Sequence, residues 1–155
     1  MAKVSFIAKD VTPISQNNRR RTTVDALGDE LVAAHNAKYP ADIWPRAVGN
    51  HETNDLQVRV YYLHKVPDGK DADNISKPLW DSLNKRYYWD DRQIKYLETL
   101  KVGTTDGHDL NTFDLTEIED ADFDYLVEFL IDPANTTDRL LYIAIDDFST
   151  NSVRF

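Results

Sequence analysis

Two stretches in which apolar residues recur at every second position, Leu56–Tyr62 without a break and Ile94–Val102 with one at Glu98, bracket a segment whose apolar residues recur at helical spacing, Ile75, Leu79 and Leu83. Leu56, Val58, Val60 and Tyr62 alternate with Gln57, Arg59 and Tyr61; Ile94, Tyr96, Leu100 and Val102 alternate with Lys95, Thr99 and Lys101. A period of two marks a half-buried strand and a period near 3.6 a helix with one apolar face, so the segment predicts strand, helix, strand. Pro67-Asp68-Gly69 supplies the turn after the first of these strands, and Asp73 or Asn74 is expected to cap the helix, with Trp80 packing beside its apolar face. Pro78 is then expected near the first turn, where proline is tolerated.

The same periodicities organise the rest of the chain. Val4, Phe6 and Ala8 predict a first strand. Leu27, Leu31, Ala34 and His35 predict a helix within Val24–Lys38, closed by Pro40 and Pro45, and the apolar run Leu140–Ile145 predicts a last strand. Between residues 104 and 138 lies an acidic insertion. Thr116-Glu117-Ile118-Glu119 there reads as a capping box, and Phe123, Leu126, Val127 and Leu130 as the apolar face of a helix. With 155 residues and 41% hydrophobic content, the chain can bury one sizeable core. The expectation is a single domain over residues 1–155 of the α/β (α+β) class: a small mixed β-sheet with helices packed on it and a helical acidic insertion before the last strand.

Composition removes several chemistries. There is no cysteine, which excludes disulfides, zinc–thiolate sites and cysteine nucleophiles, and the 5 glycines form no phosphate-cradling GxxxxGK loop. His35, His51, His64 and His108 show no metal-ligand spacing. The N-terminal apolar run is too short for a signal peptide and no stretch is long enough to span a membrane, so a cytoplasmic protein is expected.

What remains is a set of carboxylates around the central unit. Asp71 and Asp73 are two apart, and on an extended stretch they would project to one side; Lys77 lies one helical turn beyond Asp73, Asp81 one turn beyond that, and Asp90-Asp91 precede the next strand. Any one of these acids is most simply a cap or turn residue. Capping does not account for the whole set. Carboxylate oxygens are hard donors suited to Mg²⁺ or Mn²⁺, ions that activate water and neutralise charge on a phosphoryl oxygen, which points to a phosphodiester substrate.

The string Asp71-Ala72-Asp73-Asn74-Ile75-Ser76-Lys77, then Asp81-Ser82-Leu83-Asn84, then Trp89-Asp90-Asp91-Arg92-Gln93-Ile94 resembles the signature of the RusA-like Holliday junction resolvases in order and spacing. Pro13-Ile14-Ser15-Gln16-Asn17-Asn18-Arg19 is similar to that family's loop after the first strand. The resemblance covers roughly residues 1–103 plus the final strand. It implies that Asp71, Asp73 and Asp91 are the essential metal-site carboxylates, with Asp90 beside them, and that Lys77 is a catalytic or phosphate-contacting lysine. It further implies a Mg²⁺- or Mn²⁺-dependent endodeoxyribonuclease acting on branched DNA, chiefly four-way junctions, as a homodimer in DNA recombination or repair, in a group commonly encoded by phages. Three other readings remain open: a non-catalytic junction-binding or regulatory protein of the same fold, a metal phosphodiesterase acting on another nucleic acid or on small phosphoesters, and a structural or interaction protein in which the acidic helix is the functional part.

A formal net charge of −9 runs against a polyanionic substrate. The excess acid is local. Residues 1–103 hold 16 Lys and Arg against 14 Asp and Glu, a net of +2, whereas residues 104–155 hold 2 against 13, a net of −11. Arg19, Arg20, Arg21, Lys85, Arg86 and Arg92 are the candidate DNA-binding residues of the first part, joined by Lys95. The insertion is expected to pack on the sheet as an acidic helix, or more sharply to lie near the DNA-facing side and weaken non-specific binding. Tyr87, Tyr88 and Trp89 form an aromatic cluster beside Asp90, for which core packing is the first reading and base stacking the second.

Overall fold

The computed structural model describes residues 3–18, 20–47, 49–110 and 113–153, with the side chains of Asn18 and Ser152 left aside. Arg19 therefore lies outside the described residues. The elements run β1 (Val4–Lys9), α1 (Arg21–Lys38), β2 (Leu56–His64), α2 (Ala72–Leu83), β3 (Ile94–Gly103), α3 (Asp120–Ile131) and β4 (Arg139–Asp147). The four strands form one mixed sheet in the order β1-β4-β2-β3. β4 is antiparallel to both β1 and β2, and β2 is parallel to β3. Parallel neighbours need a crossover, and α2 supplies it.

The alternation in the strands sorts side chains between two faces. On one face Val4, Phe6, Ala8, Leu56, Val58, Val60, Tyr62, Leu141, Ile143 and Ile145 pack against Leu27 and Leu31 of α1 and Ile75, Leu79 and Leu83 of α2. On the other, Ile7, Leu63, Val102 and Leu140 pack against Leu126 and Phe129 of α3. The result is two helices, a sheet and a third helix in layers. The insertion occupies the gap between the end of β3 at Gly103 and the start of β4 at Arg139, and it covers the sheet face opposite α1 and α2. Lys38 at the end of α1 joins it across the β1 edge, donating to Ser5 O at 2.6 Å and to Asp122 at 2.7 Å.

Three expectations need correction. First, α2 begins at Ala72 with Asp71 as its N-cap, so Pro78 sits in the helix interior and not near the first turn. Its missing N–H leaves the Asn74 carbonyl without a helical donor, at a cost of about 3 kcal/mol. Burial of Ile75, Leu79 and Leu83, each completely covered, offsets this at roughly 1.5–3 kcal/mol per side chain. Second, Thr116 does not cap α3: it donates to Asp114 in a turn, and Glu119 is the N-cap, with no side-chain cap hydrogen bond. Third, the buried face of α3 is Asp122, Leu126 and Phe129, while Phe123 is exposed. Asp122 is covered because its carboxylate meets Lys38, a pairing that hydrophobic periodicity cannot register.

Candidate active site

Helix α2 lies along the outer edge of the sheet beside β3, and Ser76 Oγ accepts a hydrogen bond from Thr99 Oγ1 at 3.0 Å, which fixes helix against strand. An open cleft of about 550 Å³ runs between them. Asp73, Lys77 and Asp81, spaced one helical turn apart, line it from the helix; Asp91 and Leu97 line it from the strand side. Because Ile75, Leu79 and Leu83 point into the core, Lys77 stays exposed on the other face. Its ammonium lies 3.3 Å from Asp81 Oδ1 and 4.0 Å from Asp91 Oδ2.

The acidic turn before β3 is built by Gln93. Its side-chain oxygen accepts from the Trp89 and Asp90 amides at 2.9 and 2.8 Å, and its amide nitrogen donates to Glu52 O and Asn54 O at 2.8 and 2.9 Å. Asp90 in turn accepts from the Arg92 amide at 2.9 Å, completing a capping box. That backbone bond holds the Asp90 carboxyl below its ordinary value. Adjacent residues thus divide the work: Asp90 closes the turn and Asp91 faces the cleft. Behind them, Tyr88 is buried and donates its hydroxyl to Trp80 O, and burial raises its phenol well above the ordinary range. Burial likewise pushes the Tyr87 phenol up to about 12.

Of the predicted site residues, the structure brings Asp73, Lys77 and Asp91 to one cleft and adds Asp81. Asp71 is exposed at the helix start and is not among the cleft-lining residues: the chain is already helical at Ala72, so Asp71 and Asp73 do not share one side of an extended stretch. Asp81 had a visible signal, the repeat of Asp73, Lys77 and Asp81 at four-residue steps. Among the described residues no three His, Cys, Asp or Glu side chains form a ready-made metal cage. The donor set nonetheless fits a hard divalent ion, since Mg²⁺ keeps several waters and is commonly held by one or two carboxylates together with substrate phosphate.

The candidate DNA-contacting cations fare unequally. Arg20 and Arg21 are exposed at the start of α1. Arg92 is 89% exposed, 3.6 Å from Asp90, and Lys85 is exposed with its ammonium over the Trp89 ring. Arg86 is engaged within the fold, donating to Asp29 at 2.8 Å and to Asp25 O at 3.1 Å, and so ties the end of α2 to α1. No described helix is long and apolar enough to cross a membrane.

A search of curated proteins finds no match. The family model described as Endodeoxyribonuclease RusA matches residues 10–108, a span from the end of β1 through the acidic cleft and β3. The match contains every cleft-lining residue, and β1, α3 and β4 lie outside it. The chain belongs to the RusA family of endodeoxyribonucleases.

Proposed function

We propose that this protein is a Mg²⁺- or Mn²⁺-dependent endonuclease that cuts four-way DNA junctions as a homodimer in recombination or repair. The observation that supports it most directly is the meeting of Asp73, Asp81 and Asp91 with Lys77 in one open cleft at the β3 edge. Asp73 and Asp91 are the best-placed ligands for the ion, with Asp81 beside them and Asp71 and Asp90 completing the acidic set. When bound, the ion supplies a water of lowered pKa and neutralises charge on the phosphoryl oxygens. Lys77, held by Asp81, offers a positive charge to the phosphate as negative charge develops on it. Arg20, Arg21 and Arg92 hold backbone phosphates and set the register of the DNA, with Arg19 assigned the same role from the sequence.

Cutting two strands of a junction symmetrically needs two cleft sites, which a C2 dimer provides with one self-complementary interface. Light scattering at micromolar concentration should give twice the chain mass. The decisive experiment is cleavage of a synthetic four-way junction by the wild type and by Asp73→Asn in Mg²⁺, in Mn²⁺ and in chelator. Paired nicks from the wild type with either metal, and none from the variant or in chelator, are expected. A junction bound but never cut would leave a binding protein of the same fold.

A further inference from the structure

Three consecutive aromatic residues precede Asp90, and the fold treats them differently. Tyr87 and Tyr88 are completely buried, whereas Trp89 keeps 50% of its surface exposed. The backbone does not leave that ring free to fold inward. The Trp89 amide is held by Gln93 Oε1 at 2.9 Å and by Glu52 O at 3.3 Å, and the buried Tyr88 anchors the residue before it. The ring rests on the edge of His51, with centroids 5.5 Å apart, and His51 is itself fixed to Lys85 O at 2.7 Å. Lys85 Nζ lies 5.8 Å from the ring centroid, within cation–π range, and the exposed Arg92 follows three residues later.

An anchored, outward-facing indole beside two exposed cations, two residues from Asp91 in the cleft, has the features of a platform for nucleobases. Aromatic faces accept any base by stacking while nearby cations hold the backbone. Bases inside a linear duplex are stacked on both faces and must be extruded at a cost of a few kcal/mol, whereas a base pair at a branch point loses its continuous stacking neighbour when the arms are splayed. We propose that Trp89 stacks on the nucleobase face exposed at the branch point and thereby favours branched DNA over linear duplex. This rests on the junction-nuclease reading and adds a specificity-determining residue to it.

Intrinsic fluorescence reads this residue, because the other two tryptophans, Trp44 and Trp80, are 1% and 3% exposed. In chelator, so that nothing is cut, the full chain is titrated with a synthetic four-way junction and with a linear duplex of the same arm sequence. The junction should quench the emission and the duplex should not. Trp89→Phe should lose the quenching yet still bind the junction within a fewfold of wild type. Trp89→Ala should bind the junction about tenfold more weakly, with duplex binding unchanged. Quenching that persists in Trp89→Phe, equal quenching by duplex, or wild-type junction affinity in Trp89→Ala overturns the stacking role while leaving the nuclease reading intact. If the wild type binds neither DNA, both readings fall together.

Discussion

The ammonium of Lys77 is held 3.3 Å from Asp81 Oδ1, one helical turn along α2, and points toward Asp91 4.0 Å away. A half-exposed pair at this spacing contributes only about 0.3–0.5 kcal/mol to stability, so its consequence lies in where the charge is held. Asp81→Asn is expected to slow junction cleavage about tenfold at saturating DNA while leaving the melting temperature almost unchanged. Lys77→Ala should slow it on the order of a hundredfold, as for loss of one charge-stabilising donor, with a much smaller effect on binding. Single-turnover cleavage beside thermal melts checks both; wild-type rates in Asp81→Asn would remove its role in positioning Lys77.

Glu52 links the Gln93 turn to the N-terminus through Lys3, whose ammonium lies 2.7 Å away. Burial pushes the Glu52 carboxyl up, but the Lys3 bond and the Asn54 and Thr53 amides outweigh it and hold it below its usual 4.5. The folded state therefore favours the carboxylate more than the unfolded chain does. Its contribution is complete above pH 4.5 and is lost as pH falls through the depressed folded value. Glu52→Gln should lower stability by about 1 kcal/mol near pH 6, and the gap to wild type should shrink below pH 4.5. Melts across pH 3–6 decide this; a gap independent of pH would refute it.

Gly28 marks a close approach of α1 to the end of α2. A methyl group there would sit 2.6 Å from the Ser82 carbonyl oxygen and 2.7 Å from Arg86 Nε. Alanine gains up to about 1 kcal/mol of helix propensity over glycine, but overpacking against backbone costs roughly 1–3 kcal/mol. Gly28→Ala should therefore lower the melting temperature by several degrees. A rise would mean that the helices separate without penalty.

Lys38 reaches Asp122 at 2.7 Å and Glu119 at 2.9 Å, joining the insertion to α1. The Asp122 side chain is 3% exposed, so removing it strands a largely covered ammonium. Asp122→Ala should destabilise by about 2 kcal/mol, less than the 3–5 kcal/mol of an isolated buried pair because Glu119 remains. Denaturant melts of the single variant and of Lys38→Met with Asp122→Leu separate the lost pair from the stranded charge; the double variant should recover part of the loss.

Much of the fold was legible along the chain. The strand at 56–64, the helix at 72–83 and the strand at 94–103 are written in periods of two and 3.6, because each element must present one apolar face and neighbours in sequence suffice to encode it. Asp73, Lys77 and Asp91 were legible as a chemical set for the same local reason: fixed spacing on either side of a short crossover. Boundaries were less so. An N-cap at Asp71, two residues before Asp73, parted Asp71 from the cleft and moved Pro78 into the helix interior.

Other outcomes depended on what met across the sheet. Parallel pairing of β2 with β3 placed Asp91 opposite the Lys77 face of α2. Close packing at Gly28 drew Arg86 into a bridge to Asp29 instead of leaving it for DNA. The hydrogen bonds of Gln93 turned Trp89 outward while Tyr87 and Tyr88 went into the core. The sequence by itself determined which residues could form strands, helices and an acidic site, since those properties are carried by spacing along one element. Tertiary structure decided which carboxylates share a cleft, which cations remain exposed and which aromatic ring faces solvent, since each depends on contacts between residues far apart in the chain.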